Sequence, residues 1–404
     1  LLVLRFLMVK FLPFHGTVPV LAGDESIDSR VSPPYDVISK EQLAIYQTNE
    51  LNVTNITLGG TDGDYSECGR RLSKWLADGK LSTSAEPCYY LYEQEFEEKG
   101  TPVVRIGLVG ILAAEGYSPE GVIPHEETFS KVKDDRLNLL KGTETHCESI
   151  FGLVDSLRFL SGISFVKLFE FTDDGKVLHR LSKISDKGDI SKIGSAIEGK
   201  RMLIADGHHR YETACKYAAQ NPTEPMKGFV LTTIVGSDDK GLIIRPTHRL
   251  VGGMGMEDEQ LLVALSLDFG LSRAVSVEDL LEKMRESGGK DLGIYTKSGM
   301  SVLLKPKNRG EGALEGLDTF LCEELIIKPL VHRREGWKIA YEHDTDIATS
   351  KTKKGDYDFA ILLSPPDLDV IWDVAASDKK MPKKSTYFWP KMWSGLVYYR
   401  MRRN

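Results

Sequence analysis

The residues best placed for chemistry fall in three short runs. The first is Asp206-Gly-His-His-Arg210. Residues 201–205 read as a short strand that feeds directly into it. A helix follows, because Tyr211, Ala214, Cys215 and Ala218 recur at i, i+3, i+4 and i+7. A strand that turns on a glycine into a helix presents backbone N–H groups with no partner inside the helix, and such a terminus favours anions, phosphate above all. His208, His209 and Arg210 stand at that mouth and can donate to phosphate oxygens, the guanidinium in bidentate fashion. Asp206 can orient a histidine or hold a cation. The plain alternative is a helix capped by Asp206 with surface histidines.

The second run, residues 125–136, gathers one imidazole (His125), four carboxylates (Glu126, Glu127, Asp134, Asp135) and three cations (Lys131, Lys133, Arg136). That mixture suits a general base beside an anionic substrate. Position 129 is Phe, so the H-E-x-x-H zinc pattern is absent. A solvated charged loop or helix has the same composition. The third run is Lys383-Lys-Ser-Thr-Tyr387, continued by Phe388-Trp-Pro-Lys391. Basic and hydroxyl side chains among aromatics suit a phosphate or nucleobase pocket; an aromatic core segment with exposed lysines would read alike.

The elements that must position these runs are strands and helices in mixed order, an α+β (mixed α/β) pattern. Leu72, Trp75 and Leu76 share a helical face that Gly79 closes. Residues 89–96 alternate as a strand, and 103–113 are nearly continuous apolar, as in a buried strand. Apolar strands are also expected at 150–154 and 229–235. Beyond Gly252-Gly-Met-Gly255, which reads as a hinge, helices are expected at 258–267, 277–287 and 318–327, and strands at 291–296 and 300–304. The expected division is a domain over 8–252 carrying the Asp-Gly-His-His-Arg turn and a C-terminal α+β domain over 256–404. Residues 1–7 are expected to be a non-native extension, with Met8 the natural start.

Composition narrows the classes. The chain has 404 residues, of which 41% are hydrophobic and 27% charged, values that exclude a disordered polypeptide. Its net charge of −7 offers no basic footprint for nucleic acid. The basic residues cluster instead at 125–136, 206–210 and 383–391, which suits a small phosphorylated ligand. The five cysteines are scattered with no C-x-x-C spacing, so they read as free thiols in a reducing, cytoplasmic compartment. No run of apolar residues is long enough to span a membrane. There is no P-loop and no G-x-G-x-x-G after a strand. Asp268-Phe-Gly270 matches the kinase metal tripeptide, but no H-R-D-L-x-x-x-N precedes it.

Four blocks together resemble the DUF1015 family: Pro34-Tyr-Asp-Val-Ile38; Pro124-His-Glu-Glu-Thr128 with Asp135-Arg136-Leu137; Ala205 to Thr213; and Met381 to Lys391. Residues 206–210 alone also resemble the glycine–histidine–arginine turn of the ParB/sulfiredoxin-like nucleotide-binding fold, whose members include CTP-binding ParB proteins, sulfiredoxin and free-serine kinases. A partition role is disfavoured, since no basic helix-turn-helix is present. Sulfiredoxin chemistry is disfavoured too, since position 208 is His and the nearest cysteine is Cys215.

The resemblance implies a ParB/sulfiredoxin-like core and a nucleotide-dependent phosphotransferase acting on a small hydroxy substrate such as serine, or the reverse or hydrolytic reaction on phosphoserine. It implies ATP or ADP, with Mg²⁺, as cofactors. Gly207, His208, His209, Arg210 and Arg136 would hold phosphates. Glu126 would act as base, with His125 and Asp206 beside it. Asp206 or Asp135 would hold the metal. Lys384, Ser385, Thr386, Lys391 and Tyr35 would contact substrate. A nucleotide-binding regulator or scaffold without turnover, and a plain phosphatase, remain as alternatives. The sequence leaves the oligomeric state open.

Overall fold

The computed structural model describes residues 9–128, 130–331 and 335–402. The expected extension 1–7 and start at Met8 lie outside the described residues. The fold is mixed α/β and forms two compact units. One comprises Leu1–Pro124, Thr128–Ile243 and Pro390–Asn404; the other comprises His125–Glu127 and Ile244–Trp389. The chain therefore changes unit four times.

In the first unit, the described residues form a nine-stranded mixed sheet. Its order runs Val122–Ile123, Met202–Asp206, Ile150–Val154, Phe229–Gly236, Thr101–Ala113, Tyr89–Glu98, Leu178–Ile184, Val166–Thr172, and Phe11–Leu12 adds to Thr101–Ala113. Ile150–Val154 is buried along its whole length, as its unbroken apolar run demands. It lies between an antiparallel neighbour, Met202–Asp206, and a parallel one, Phe229–Gly236. Ile150, Ile204, Tyr211 and Ile234 share one core there and are entirely buried. Each such aliphatic side chain stabilises the fold by about 1.5–3 kcal/mol, which fixes the strand end from which Asp206 emerges.

Two helices matter for the site. Ser66–Ala77 buries Leu72 and Trp75 of the expected face, with Leu76 half-buried, and adds Cys68 to it. The charged run 131–136 lies on helix Ser130–Thr143, not on a loop, because Leu137, Leu139 and Leu140 give it a buried side. Arg136 is buried along with them.

The second unit is a six-stranded antiparallel sheet in the order Phe269–Ala274, Ser301–Pro306, Leu292–Thr296, Phe359–Leu362, His248–Gly252, Lys338–Glu342. Helices Asp258–Leu265, Val277–Glu286, Thr345–Lys353 and Leu368–Ala376 belong to it. Residues 318–327 were expected to be one helix. They divide into an α-helix, Asp318–Cys322, and a wider-turned π-helix, Glu323–Val331. The change of unit at 243/244 precedes the hinge expected at 252–255, because His248–Gly252 hydrogen-bonds into the second sheet on both its edges. The C-terminal segment likewise departs from the simple two-part division, since Pro390–Asn404 returns to the first unit. All five cysteines are free thiols, four of them buried. Among the described residues no helix is long and apolar enough to cross a membrane.

Candidate functional site

Gly207 joins strand Met202–Asp206 to helix His208–Gln220 at φ +93°, in the left-handed region. A Cβ there would come within 2.9 Å of Ile150 Cγ2. Conformation and space both require glycine. Gly207 is itself the N-cap, and no side chain caps the helix, so a helix capped by Asp206 is not what forms.

Asp206 instead pairs with Lys391. The ammonium lies 2.9 Å from Oδ2, with the two side chains 14% and 26% exposed. Burial on its own would raise the Asp206 pKa. Lys391, Arg210 and His208 outweigh it and hold the carboxyl well below the usual range. So acidic a group is a poor base near neutrality, and its carboxylate stands paired with an ammonium.

Arg210 donates to the Ser149 carbonyl at 2.6 Å. Burial works against its charge, but Glu148, Asp206 and Asp36 more than restore it. Glu148 is buried and accepts from the Tyr35 N–H at 3.2 Å and the Ser394 hydroxyl at 3.1 Å. The Tyr35 ring lies 4.4 Å from the Arg136 guanidinium. Arg136 donates to the Thr57 carbonyl at 2.9 Å, the Tyr65 hydroxyl at 2.8 Å and Asp135 at 2.9 Å. A cavity of about 30 Å³ is lined by Arg136, His146, Glu148 and Arg210 among others. Tyr35, Arg136, the 206–210 turn and Lys391, one contribution from each sequence block, are thus brought together in the first unit. Tyr35 serves there as a platform for Arg136 and a backbone donor to Glu148.

The run 125–136 divides between units. Asp135 and Arg136 belong to the first, His125 and Glu126 to the second. The His125 ring is fully buried; its Nε2 is 2.9 Å from Thr386 Oγ1, and its ring packs edge-on against Phe388. The Glu126 carboxylate accepts the Lys384 N–H at 2.9 Å, with Lys384 at φ +60°. Ser385 is fully buried, donates to the Pro382 carbonyl at 2.6 Å and lies 3.1 Å from Thr319 Oγ1. These bonds give His125, Glu126, Ser385 and Thr386 the task of shaping one turn of the second unit. Only the Lys384 side chain is exposed there.

A resident metal does not fit the two carboxylates expected to hold it. Lys391 already neutralises Asp206 and Arg136 already neutralises Asp135. Among the described residues no group of three or more His, Cys, Asp or Glu side chains is arranged for a metal ion.

Sequence reasoning missed Glu148 and the cluster around Glu212. Glu212 accepts from Lys133 at 2.8 Å and Thr128 at 2.9 Å, and so ties helix Ser130–Thr143 to helix His208–Gln220. It missed Gln94 and Arg105 as well, which hold the backbone at Pro390–Lys391. Two signals were present: Arg105 is the one charge inside the apolar strand Thr101–Ala113, and Glu148 stands two residues before the apolar strand Ile150–Val154.

Solved structures similar to this chain include a conserved hypothetical protein from Pyrococcus furiosus, with 13% identity, 67% of this chain and 88% of that one covered, and a TM-score of 0.38. A free serine kinase in complex with AMP shows 12% identity over 67% of this chain and 85% of that one, with a TM-score of 0.39. SbnI with a C-terminal truncation from Staphylococcus aureus shows 10% identity over 71% and 85%, with a TM-score of 0.39. Likeness at this level leaves the chemistry to be read from the side chains. No curated protein matches the chain. The tail block 381–391 lies beyond the stretch that identifies the family, residues 11–320, which match the family described as Protein of unknown function (DUF1015), and on that match the chain belongs to this family.

Proposed function

We propose that the first unit binds the phosphates of a nucleotide or other small phosphorylated ligand at the Gly207 turn, and that the protein is a nucleotide-dependent phosphotransferase on a small hydroxy substrate of the serine/phosphoserine type. The observation that carries the reading is the uncapped helix start at Gly207, flanked by the Lys391 ammonium and the Arg210 guanidinium. Backbone N–H groups at a helix start and two cations of different geometry are the donors a phosphate chain needs. Phosphoryl transfer depends chiefly on positioning and charge neutralisation. Lys391 supplies a compact ammonium, Arg210 a planar fork, and His208 and His209 lie on the same first turn. The nature of the substrate rests on the resemblance of residues 206–210 to the free-serine kinases. ATP or ADP is the nucleotide class that follows, and any Mg²⁺ would arrive with those phosphates.

Two observations favour a second reading, a nucleotide-binding regulator without turnover. Asp206 is too acidic for base work, and the Glu126 carboxylate already accepts the Lys384 N–H. The test is direct. Purified protein is incubated with ATP or ADP, Mg²⁺, and serine or phosphoserine, and phosphorus NMR follows the products. Transfer is the expected result; nucleotide binding without transfer establishes the regulator. Phosphate release from phosphoserine without nucleotide would identify a phosphatase. Unchanged nucleotide affinity in His209→Ala removes that imidazole from the phosphate contacts, and failure to bind either nucleotide overturns both leading readings.

A further inference from the structure

We infer that Gln94 is a positioning residue for Lys391, set by a buried relay that begins at Asp173; the inference rests on the phosphate reading of the Gly207 turn. The relay is built on three neighbouring strands, Tyr89–Glu98, Thr101–Ala113 and Leu178–Ile184. His179 is fully buried between Tyr92 and Asp173. Its Nε2 lies 3.1 Å from the Asp173 carboxylate, which can only accept from it. His179 therefore carries a proton on Nε2, and burial, which lowers its pKa, favours the neutral ring, leaving Nδ1 an acceptor. That acceptor takes the Tyr92 hydroxyl at 2.7 Å and faces the Gln94 Nε2 at 3.5 Å.

Gln94 is oriented by the same logic. Its Oε1 accepts from the Arg105 Nε at 3.1 Å, and Arg105 is only 1% exposed. The amide nitrogen must then point the other way, where it donates to the Lys391 carbonyl at 2.9 Å. The Arg105 guanidinium also donates to the Pro390 carbonyl. Two residues beyond Lys391, the Trp393 N–H donates to the Tyr92 hydroxyl at 3.3 Å, and the Trp393 ring packs against Phe171 and His179. Every polar atom of this chain of contacts thus has one permitted direction, and the chain ends on the backbone that carries Lys391. Burial lowers the Arg105 pKa to about 10, so the guanidinium remains charged at neutral pH and keeps Gln94 oriented. Such a fixed side chain can hold an ammonium against Asp206 without itself touching a ligand.

The experiment uses Gln94→Glu in the full chain. A carboxylate at 94 still accepts from Arg105, so the buried guanidinium keeps its partner, but it cannot donate to the Lys391 carbonyl. Two readouts are taken: ADP affinity by calorimetry, and the Asp206 carboxyl titration by carbon NMR. Loss of one well-made hydrogen bond predicts about tenfold weaker ADP binding and an Asp206 titration moved upward. In a Lys391→Met background, Gln94→Glu should weaken ADP binding no further, because the position acts through Lys391. Full multiplication of the two losses, or wild-type values for both readouts, overturns the inference. If wild-type protein binds neither ADP nor ATP, the phosphate reading fails, and the Asp206 titration still decides whether Gln94 positions Lys391. If Gln94→Glu unfolds, Gln94→Met, which gives up both bonds, replaces it in both measurements.

Discussion

Replacing Lys391 with Met should destabilise the protein most near neutral pH and progressively less in acid. The substitution keeps most of the side-chain volume and removes one ammonium, 2.9 Å from Asp206 Oδ2. Breaking one side of a fully buried ion pair costs about 3–5 kcal/mol. Here both groups keep some solvent contact, and Arg210 and His208 still face the carboxylate. The expected cost is therefore about 1–2 kcal/mol at pH 7.

The pH dependence follows from the direction of the Asp206 shift. In the wild-type protein the folded carboxyl is held below its unfolded value. It stabilises the fold above the ordinary carboxylate range, and that contribution is lost as pH falls through the folded value. Without Lys391, burial is opposed by fewer cations and the folded carboxyl rises. The penalty is then fully present at neutral pH and fades as the group protonates in both states. Urea unfolding of wild type and Lys391→Met, followed by circular dichroism from pH 7 down into the acid range below the ordinary carboxylate value, should show a gap that narrows as the folded wild-type carboxyl protonates. A gap that stays constant over that range would refute the coupling of Lys391 to Asp206. So would a gap at pH 7 below about 0.3 kcal/mol, no more than an isolated exposed ion pair gives.

Two further outcomes are expected. Gly207→Ala places a Cβ at φ +93° and 2.9 Å from Ile150 Cγ2, so it should lower stability by about 1–3 kcal/mol, read as a reduced melting temperature. In the second unit, burial pushes the Asp318 carboxyl up to about 6 from an unfolded value of 3.8, against the opposing Ser364 N–H and Arg309. Stability should therefore fall by roughly 3 kcal/mol as pH rises from about 4 to 6 and level off above, and Asp318→Asn should remove most of that slope in urea titrations.

The fold was legible where one local pattern decided it. Leu72 and Trp75 fixed a helix because their spacing leaves one buried side, and the unbroken apolar run at 150–154 fixed a strand because only a covered strand tolerates it. The 206–210 junction was legible for the same reason: strand, glycine and helix periodicity are adjacent in sequence. What local pattern could not supply was partnership. Glu126 and Arg136 stand ten positions apart in one charged run, yet they belong to different units. Lys391 reaches Asp206 only because the chain returns to the first unit at Pro390. Nothing in the spacing of residues 383–391 distinguishes Lys384, whose neighbours build a turn, from Lys391, whose ammonium meets a carboxylate.

That partnership also explains why a proposed anion site contains so many acids. Lys391 faces Asp206, Arg136 faces Asp135, and Arg210 is surrounded by Glu148, Asp206 and Asp36. A cluster of unpaired cations would repel itself and unfold locally; carboxylates set among the cations hold them in place at little net charge. Of these acids, Asp206 is the one at the mouth of the uncapped helix, where phosphate oxygens are proposed to sit. Its depressed pKa marks it as a strong, permanently ionised partner for Lys391, and so as the group an incoming phosphate must compete with. On the proposed phosphate reading, a ligand carrying several charges should win that competition more readily than inorganic phosphate, and the pairing should favour di- and triphosphates over simple anions. Removing the competitor should then raise affinity for inorganic phosphate more than for ADP, which sets Asp206→Asn apart from every substitution that removes a cation.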